Sequence, residues 1–296
     1  MSGKFEESGK LEEFEEFEEF EEHRPLLLGL AYRMLGSMWD AEDVVQEAYL
    51  RWTRADRASV REVRPFLATI VSRLALDHLR SARVAREAYP GPWLPEPVAD
   101  EAAGPLNTAE LRDTLSYATM HLMERLSPPE RAVLVLREAF AMPYEQIAEV
   151  VGASAAGCRQ MHHRAGQHLA STRARPRPSR EEHARLLTRF LDAAAGGDLR
   201  ALTDLLSADV VAWNDGGGKA RAALRPILGR DRVIAFVLGL TRKYEITGLR
   251  MVKVNGEPAV RLSTGSGDQI VTAHVRDGRI HALFAVLNPD KLRYAP

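Results

Sequence analysis

The sequence predicts a multidomain chain: two all-α units, the second carrying a helix-turn-helix, followed by an α+β unit. Three observations predict it. Apolar residues recur at helical spacing through residues 21–87 and again through 105–172. A short helix, a glycine and a basic helix succeed one another between Tyr144 and Leu169. Beyond residue 205, short apolar runs separated by Asn255-Gly256, Gly265 to Gly267 and Asp277-Gly278 read as strands joined by turns. At 296 residues the chain can bury more than one core.

Residues 1–20 form an acidic extension. FEEFEEFEEF places Phe14, Phe17 and Phe20 three apart, so this segment either prolongs the first helix or stays a solvated tail. Ten Glu against Lys4 and Lys10 give residues 1–22 a charge of −8, so with −1 overall the remainder stands at +7. Nine Arg face four acids in residues 51–87, and six Arg face none in residues 154–180. Two separated basic segments point to two contacts on one polyanion.

In the first helical unit, residues 21–87, Leu26, Leu27, Leu30, Ala31, Met34 and Leu35 make one helix stripe, which Gly36-Ser37 ends. The next helix, AEDVVQEAYLRWTR, is acidic at its start and basic at its end, matching its dipole. Val44, Val45, Ala48, Tyr49 and Trp52 form its apolar face, leaving Asp43, Gln46, Glu47 and Arg51 outward. A third helix opens at Pro65, buries Phe66, Leu67, Ile70, Val71, Leu74 and Leu79, and carries Arg73, Arg80, Arg83 and Arg86 opposite. Residues 88–104 are a Pro-rich linker, extended by composition, whose Trp93 and Leu94 imply that it lies against a surface.

The second helical unit spans residues 105–173. Ser127 caps a helix with buried Val133, Leu134, Leu136 and Phe140; Gly152 ends the next, and Ser154 caps the basic one. That helix presents Arg159, Gln160, His163 and Arg164, side chains that suit base edges and phosphates. Adjacent histidines point to different helix faces and Cys158 is the only cysteine, so no metal site is expected.

After a linker at 174–180, residues 181–296 read as two helices, a strand at 210–213, a glycine loop, a helix near 230–240 and strands near 249–254, 259–262, 270–276 and 280–285. The glycine loop, WNDGGGK, looks like a phosphate cradle. A Walker loop needs GxxxxGK[ST] between a strand and a helix, and here Ala220 follows Lys219 and the first glycine is missing. No cofactor is therefore expected. Asp215, His274 and His281 are the groups weighed for acid–base catalysis, but no second carboxylate matches them, and no catalytic residue is assigned. No run of about 18 uncharged apolar residues exists and the N-terminus is acidic, so a cytoplasmic location without membrane contact is expected.

AEDVVQEAYLRW, PFLATIVSRLALDHLRS, LSPPERAVLVLREAF and YEQIAEVVG with CRQMHHRA resemble, in order, domains two and four of the ECF sigma factors, promoter-specificity subunits of bacterial RNA polymerase. The C-terminal unit resembles the SnoaL-like, NTF2-like cone. WLPEP at Trp93–Pro97, DGGGK at Asp215–Lys219 and NPDKL at Asn288–Leu292 are similar to motifs of the SigJ-type subgroup of ECF sigma factors, which carries that cone as an extension.

The resemblance implies a fold of two all-α sigma domains and a SnoaL-like cone, with core RNA polymerase and promoter DNA as partners. It implies polymerase docking by Asp43, Gln46 and Glu47, and minus-ten recognition by Arg73, Asp77, His78, Arg80 and Arg83. Minus-thirty-five recognition falls to Arg159, Gln160, His163 and Arg164. The cone would modulate the sigma domains in cis through Trp93, Leu94, Asp215, Gly216, Gly217, Gly218 and Lys219 together with Asn288, Pro289, Asp290, Lys291 and Leu292. An alternative implied by the cone is a small-molecule sensor, or a cyclase- or isomerase-like enzyme domain, fused to a sigma output module, with an unknown small ligand. Two departures stand out: Gly157 lies inside the recognition helix, where glycine costs about 1 kcal/mol relative to alanine, and Gly166 stands where relatives commonly have another arginine. Both predict weaker minus-thirty-five binding.

Overall fold

The computed structural model describes residues 2–99, 116–173 and 178–296, with side chains described for all of these but 2–15, 82–85, 87 and 170–173. Helix α1 (Ser2–Leu35) runs through the acidic extension without a break and tolerates Pro25 in its interior. It is continuous because its end has a surface to cover: Phe20 is buried, its ring 5.1 Å from that of Tyr49, and the Trp52 indole donates to the Glu16 carbonyl at 3.2 Å. Arg57, in the loop after α2 (Met38–Trp52), ion-pairs with Glu16 and Glu19 and stacks over Trp52. Helix α2 is capped by Ser37 and buries Met38, Ala41, Val44, Val45, Ala48 and Trp52, spacings of three and four that line one face. Helix α3 (Val63–Glu87) packs on both.

The second helical set is α4 (Tyr117–Met123), α5 (Pro128–Phe140), α6 (Tyr144–Val151) and α7 (Ala155–Arg173). Ser127 and Glu130 form a capping box on α5, whose Phe140 is only half-buried. Gly152, at φ 72°, closes α6 in the left-handed conformation glycine favours, and α7 crosses behind it with Cys158, Ala165 and Leu169 buried. The start of this unit at 105 and the linker residues 174–177 lie outside the described residues. The two helical sets share one continuous core, which runs from Leu27 and Trp52 through Leu76 to Leu134, Ile147 and Leu169.

The C-terminal unit is α8 (Arg180–Gly196), α9 (Leu199–Leu205), β1 (Leu206–Asp215), the two-residue β2 (Ile227–Leu228), α10 (Arg230–Lys243), β3 (Ile246–Val254), β4 (Glu257–Thr264), β5 (Gly267–Arg276) and β6 (Arg279–Val286), closed by a 3₁₀ turn at Pro289–Leu292. Its sheet runs β2-β1-β6-β5-β4-β3. One pair departs from the antiparallel pairing of turn-joined neighbours: β1 pairs with β6 in parallel, Asp215 opposite Val286. The cause is topological. Strand β1 returns to the sheet only after α10 and the β3–β6 meander, so β6 lies beside it in the same direction.

Alternation gives the sheet two apolar faces. Ala212, Leu262, Ala273 and Leu283 face α8, α9 and α10. Ile270, Phe284 and Val286 face the other way and cluster with Leu94 of the linker and Tyr117 of α4. The cone is thus docked on the helical half through the outer side of its sheet.

Candidate functional site

All three sequence motifs meet at that docking surface, and Asp215 is at its centre. Strand β1 places Ala212 and Asn214 on the inner face and Trp213 and Asp215 on the outer one. Fully buried, Asp215 accepts from the Tyr89 hydroxyl at 2.5 Å, from the Leu94 backbone N–H at 2.9 Å and from Lys291 Nζ at 2.8 Å. Lys291 also donates to the Leu94 carbonyl at 2.6 Å and sits over the Trp93 ring at 3.2 Å. Burial pulls its pKa down to about 8, against the opposing attraction of Asp215. A desolvated ion pair of this kind holds together only when its remaining hydrogen bonds are met, as they are here by the linker backbone.

The glycines that suggested phosphate binding make room for this contact. A Cβ on Gly217, at φ 57°, would lie 2.2 Å from Asn288 Nδ2 and 2.8 Å from the Tyr89 hydroxyl; one on Gly216 would lie 2.3 Å from the Ala220 carbonyl. Asn288 in turn donates to Tyr89 at 2.9 Å. DGGGK and NPDKL are paired crosswise: Asp215 with Lys291 in the interior, Lys219 with Asp290 at the surface, where both side chains are more than half exposed. Pro289 and Gly218 are exposed, and Leu292 packs on the interface cluster. The sequence places the two motifs in one regulatory group but does not pair their charges.

Residues it missed complete the site. Glu96 of WLPEP accepts from Ser37 Oγ and the Met38 N–H, both at 2.8 Å, so the linker caps the start of α2. Its carboxyl pKa is raised by burial. Tyr32 on α1 donates to the Glu96 carbonyl at 2.7 Å and accepts from Asn255 of the β3–β4 turn at 2.6 Å, tying α1, linker and cone together. His121 on α4 lies 4.6 Å from the Trp213 ring and 5.1 Å from Phe284. Both its ring nitrogens are buried without a partner, and burial, reinforced by Arg125, lowers its pKa to about 4. Because the docked imidazole is held neutral while a released one protonates near 6.5, docking is strongest above pH 6.5 and weakens as pH falls towards 4. The loss is at most about 1.4 kcal/mol per pH unit. His121→Leu is expected to shrink the drop in melting temperature between pH 7 and pH 5; His183, whose pKa burial also lowers to about 4, contributes to the part that stays.

The two helical sets are joined by a second buried network. Arg131 on α5 donates to the Arg33 carbonyl at 3.0 Å and to Glu124 at 2.7 Å; Arg86 on α3 donates to the Leu35 carbonyl at 2.6 Å and also pairs with Glu124. These guanidinium groups satisfy carbonyls left open at the C-terminus of α1.

The residues proposed to meet DNA and polymerase fall on separate outer faces. Asp43, Gln46 and Glu47 are exposed on α2, with Glu47 bonded to Arg51. On α3, Asp77 pairs with Arg80, His78 lies 3.4 Å from Asp40, whose carboxylate raises its pKa, and Arg73 donates to the Glu149 carbonyl of α6. The Arg83 side chain lies outside the described residues. On α7, Arg159, Gln160, His163 and Arg164 are exposed, with Arg159 on Glu145 and Arg164 on Glu130. A Cβ on Gly166 would meet nothing within 4 Å, so packing does not demand glycine there. Of the groups weighed for catalysis, Asp215 is committed to the docking surface, and neither His274 nor His281 lines the cavity inside the cone.

Family models for Sigma-70 region 2 and Sigma-70, region 4 match residues 20–84 and 117–169. The chain is 40% identical over 291 residues to the ECF RNA polymerase sigma factor SigJ of Mycobacterium tuberculosis, covering 92% of each chain. It is 32% identical over 273 residues to a probable ECF RNA polymerase sigma factor, SigI, of the same species, covering 91% of this chain and 92% of that one. A crystal structure of the M. tuberculosis extracytoplasmic function sigma factor SigJ superposes with a TM-score of 0.78 at 35% identity, over 95% of this chain and 99% of that one. Two sigma regions in order, a match across nearly all of both chains and this identity place the chain in the family of ECF RNA polymerase sigma factors, with an α+β C-terminal extension.

Proposed function

We propose that this sigma factor is held in a closed form by its own cone and must open to initiate transcription. One observation carries the reading: the two DNA-reading helical sets share a core and are clasped by the linker and the cone. Elements centred near −10 and −35 are about 25 base pairs apart, about 85 Å at 3.4 Å per pair. Helices in mutual contact cannot occupy both. Arg73 is bonded to α6 of the other set, so the minus-ten and minus-thirty-five readers restrain each other in the closed form.

In the open form, Asp43, Gln46 and Glu47 dock on core RNA polymerase. Arg73, Asp77, His78, Arg80 and Arg83 serve the minus-ten element, and Arg159, Gln160, His163 and Arg164 the minus-thirty-five element. The clasp is the group formed by Trp93, Leu94, Asp215, the three glycines, Lys219 and Asn288 through Leu292. Promoter-directed transcription with purified core polymerase tests this, using the full chain and a chain cut after residue 176. The cut chain is expected to give at least several-fold higher output, and Arg159→Ala to weaken promoter binding while lowering its salt dependence. Equal output from cut and full chains would remove the cis role.

A further inference from the structure

The acidic end of α1 meets a cationic loop. Residues 53–64, the loop after α2 and the first turn of α3, carry Arg54, Arg57, Arg61 and Arg64 against Asp56 and Glu62. Arg54, Arg61 and Arg64 are exposed, whereas Arg57 is turned back onto α1. Its Nη1 lies 3.5 Å from Glu16 Oε1, its Nη2 pairs with Glu19, and its guanidinium carbon stands 5.0 Å from the centre of the Trp52 ring. Glu16 and Glu19 are three residues apart on a helix, so both carboxylates reach the loop from one face of α1.

Packing delivers those carboxylates as much as charge does. The Trp52 indole donates to the Glu16 carbonyl at 3.2 Å, and Phe20, next to Glu19, is buried against Tyr49. These contacts fix the register of α1 over the loop. The guanidinium edges that the two carboxylates occupy are the edges that a phosphate would take. The Arg57 side chain is still 35% exposed, so an incoming anion can reach it.

We infer that the acidic end of α1 is a built-in competitor for DNA: Glu16 and Glu19 hold Arg57 in the place of a backbone phosphate. The inference rests on the reading of α3 as the minus-ten reader, because the loop of Arg57 leads into that helix. A pair of carboxylates suits the task. It offers the charge and the acceptor oxygens of a phosphate, and a partly exposed ion pair is weak enough for a polyanion to displace. The extension thereby lowers affinity for DNA of any sequence and leaves base readout untouched, since phosphate contacts carry no sequence information.

The test uses the full chain and a fluorescent duplex of about 30 base pairs, with binding read by anisotropy between about 50 and 200 mM salt. Glu16→Gln/Glu19→Gln is expected to bind about three- to fivefold more tightly than the wild-type chain, the worth of a surface ion pair. Its plot of log K against log salt is expected to steepen by about 0.9, the counterion release of one added phosphate contact. Glu18→Gln/Glu22→Gln removes the same charge from exposed positions outside the Arg57 contact and is expected to change affinity by less than about twofold. In an Arg57→Ala background the gain from Glu16→Gln/Glu19→Gln is expected to vanish. Arg80→Ala, on α3, weakens binding with either form of the extension and so reports the minus-ten reading separately. Melting curves establish that the variants are folded; should Arg57→Ala not be, the contrast between the two glutamine pairs decides alone. No gain from Glu16→Gln/Glu19→Gln, an equal gain from Glu18→Gln/Glu22→Gln, or a gain that survives Arg57→Ala would overturn the competitor role, even where Arg80→Ala still weakens binding.

Discussion

Asp215→Ala lowers the stability of the full chain by roughly 3–5 kcal/mol, because it leaves the Lys291 ammonium buried without its counter-charge. The same change strands the Leu94 N–H and the Tyr89 hydroxyl, so the loss is concentrated where linker, cone and helical half meet. Lys219→Ala is the control. Its partner Asp290 is exposed, and surface pairs of that kind are worth about 0–1 kcal/mol. Denaturant melts of the two variants separate them; equal losses would mean that the buried pair is not what secures the clasp.

Glu124→Ala is the second large effect, expected at roughly 3 kcal/mol or more. Glu124 is the carboxylate shared by Arg86 and Arg131, and both guanidinium groups reach carbonyls at the end of α1. Without it, two cations face each other across the junction of the helical sets. Glu124→Gln keeps hydrogen-bonding atoms but not the charge and is expected to lose less. If Glu124→Ala melts like the wild-type chain, the network does not join the sets.

Much of the architecture was legible in the sequence because it rests on local rules. Apolar spacing exposed α2 and α3, the Ser127 cap and Gly152 marked the helix-turn-helix boundaries, and Asn255-Gly256 and Asp277-Gly278 marked hairpin turns. The meeting of WLPEP, DGGGK and NPDKL was legible only as a resemblance between motifs.

What was hidden depends on contacts between residues far apart in the chain. Nothing local distinguishes Lys291 from Lys219, yet burial makes one a partner of Asp215 across 76 residues and leaves the other at the surface. His121 reads as one polar residue in a short helix, and only Trp213 and Phe284 reveal its setting. Glu96 looked like part of a proline-rich spacer, although it caps α2 from 58 residues away. The acidic extension had two open readings, because a glutamate-rich segment becomes helix only where Phe20, Trp52 and Arg57 give it a surface. Parallel pairing of β1 with β6 likewise follows from chain path, which periodicity does not encode.

The central claim, that a closed chain opens on the promoter, is tested most directly by a distance. Dyes attached through Glu18→Cys on α1 and Gln146→Cys on α6, both exposed and distinct from the buried Cys158, report the separation of the two helical sets. Energy transfer is expected to be high in the free chain and to collapse when core polymerase and promoter DNA are added together, as the sets move to elements about 85 Å apart. Transfer that stays high in a complex competent for transcription would contradict the account.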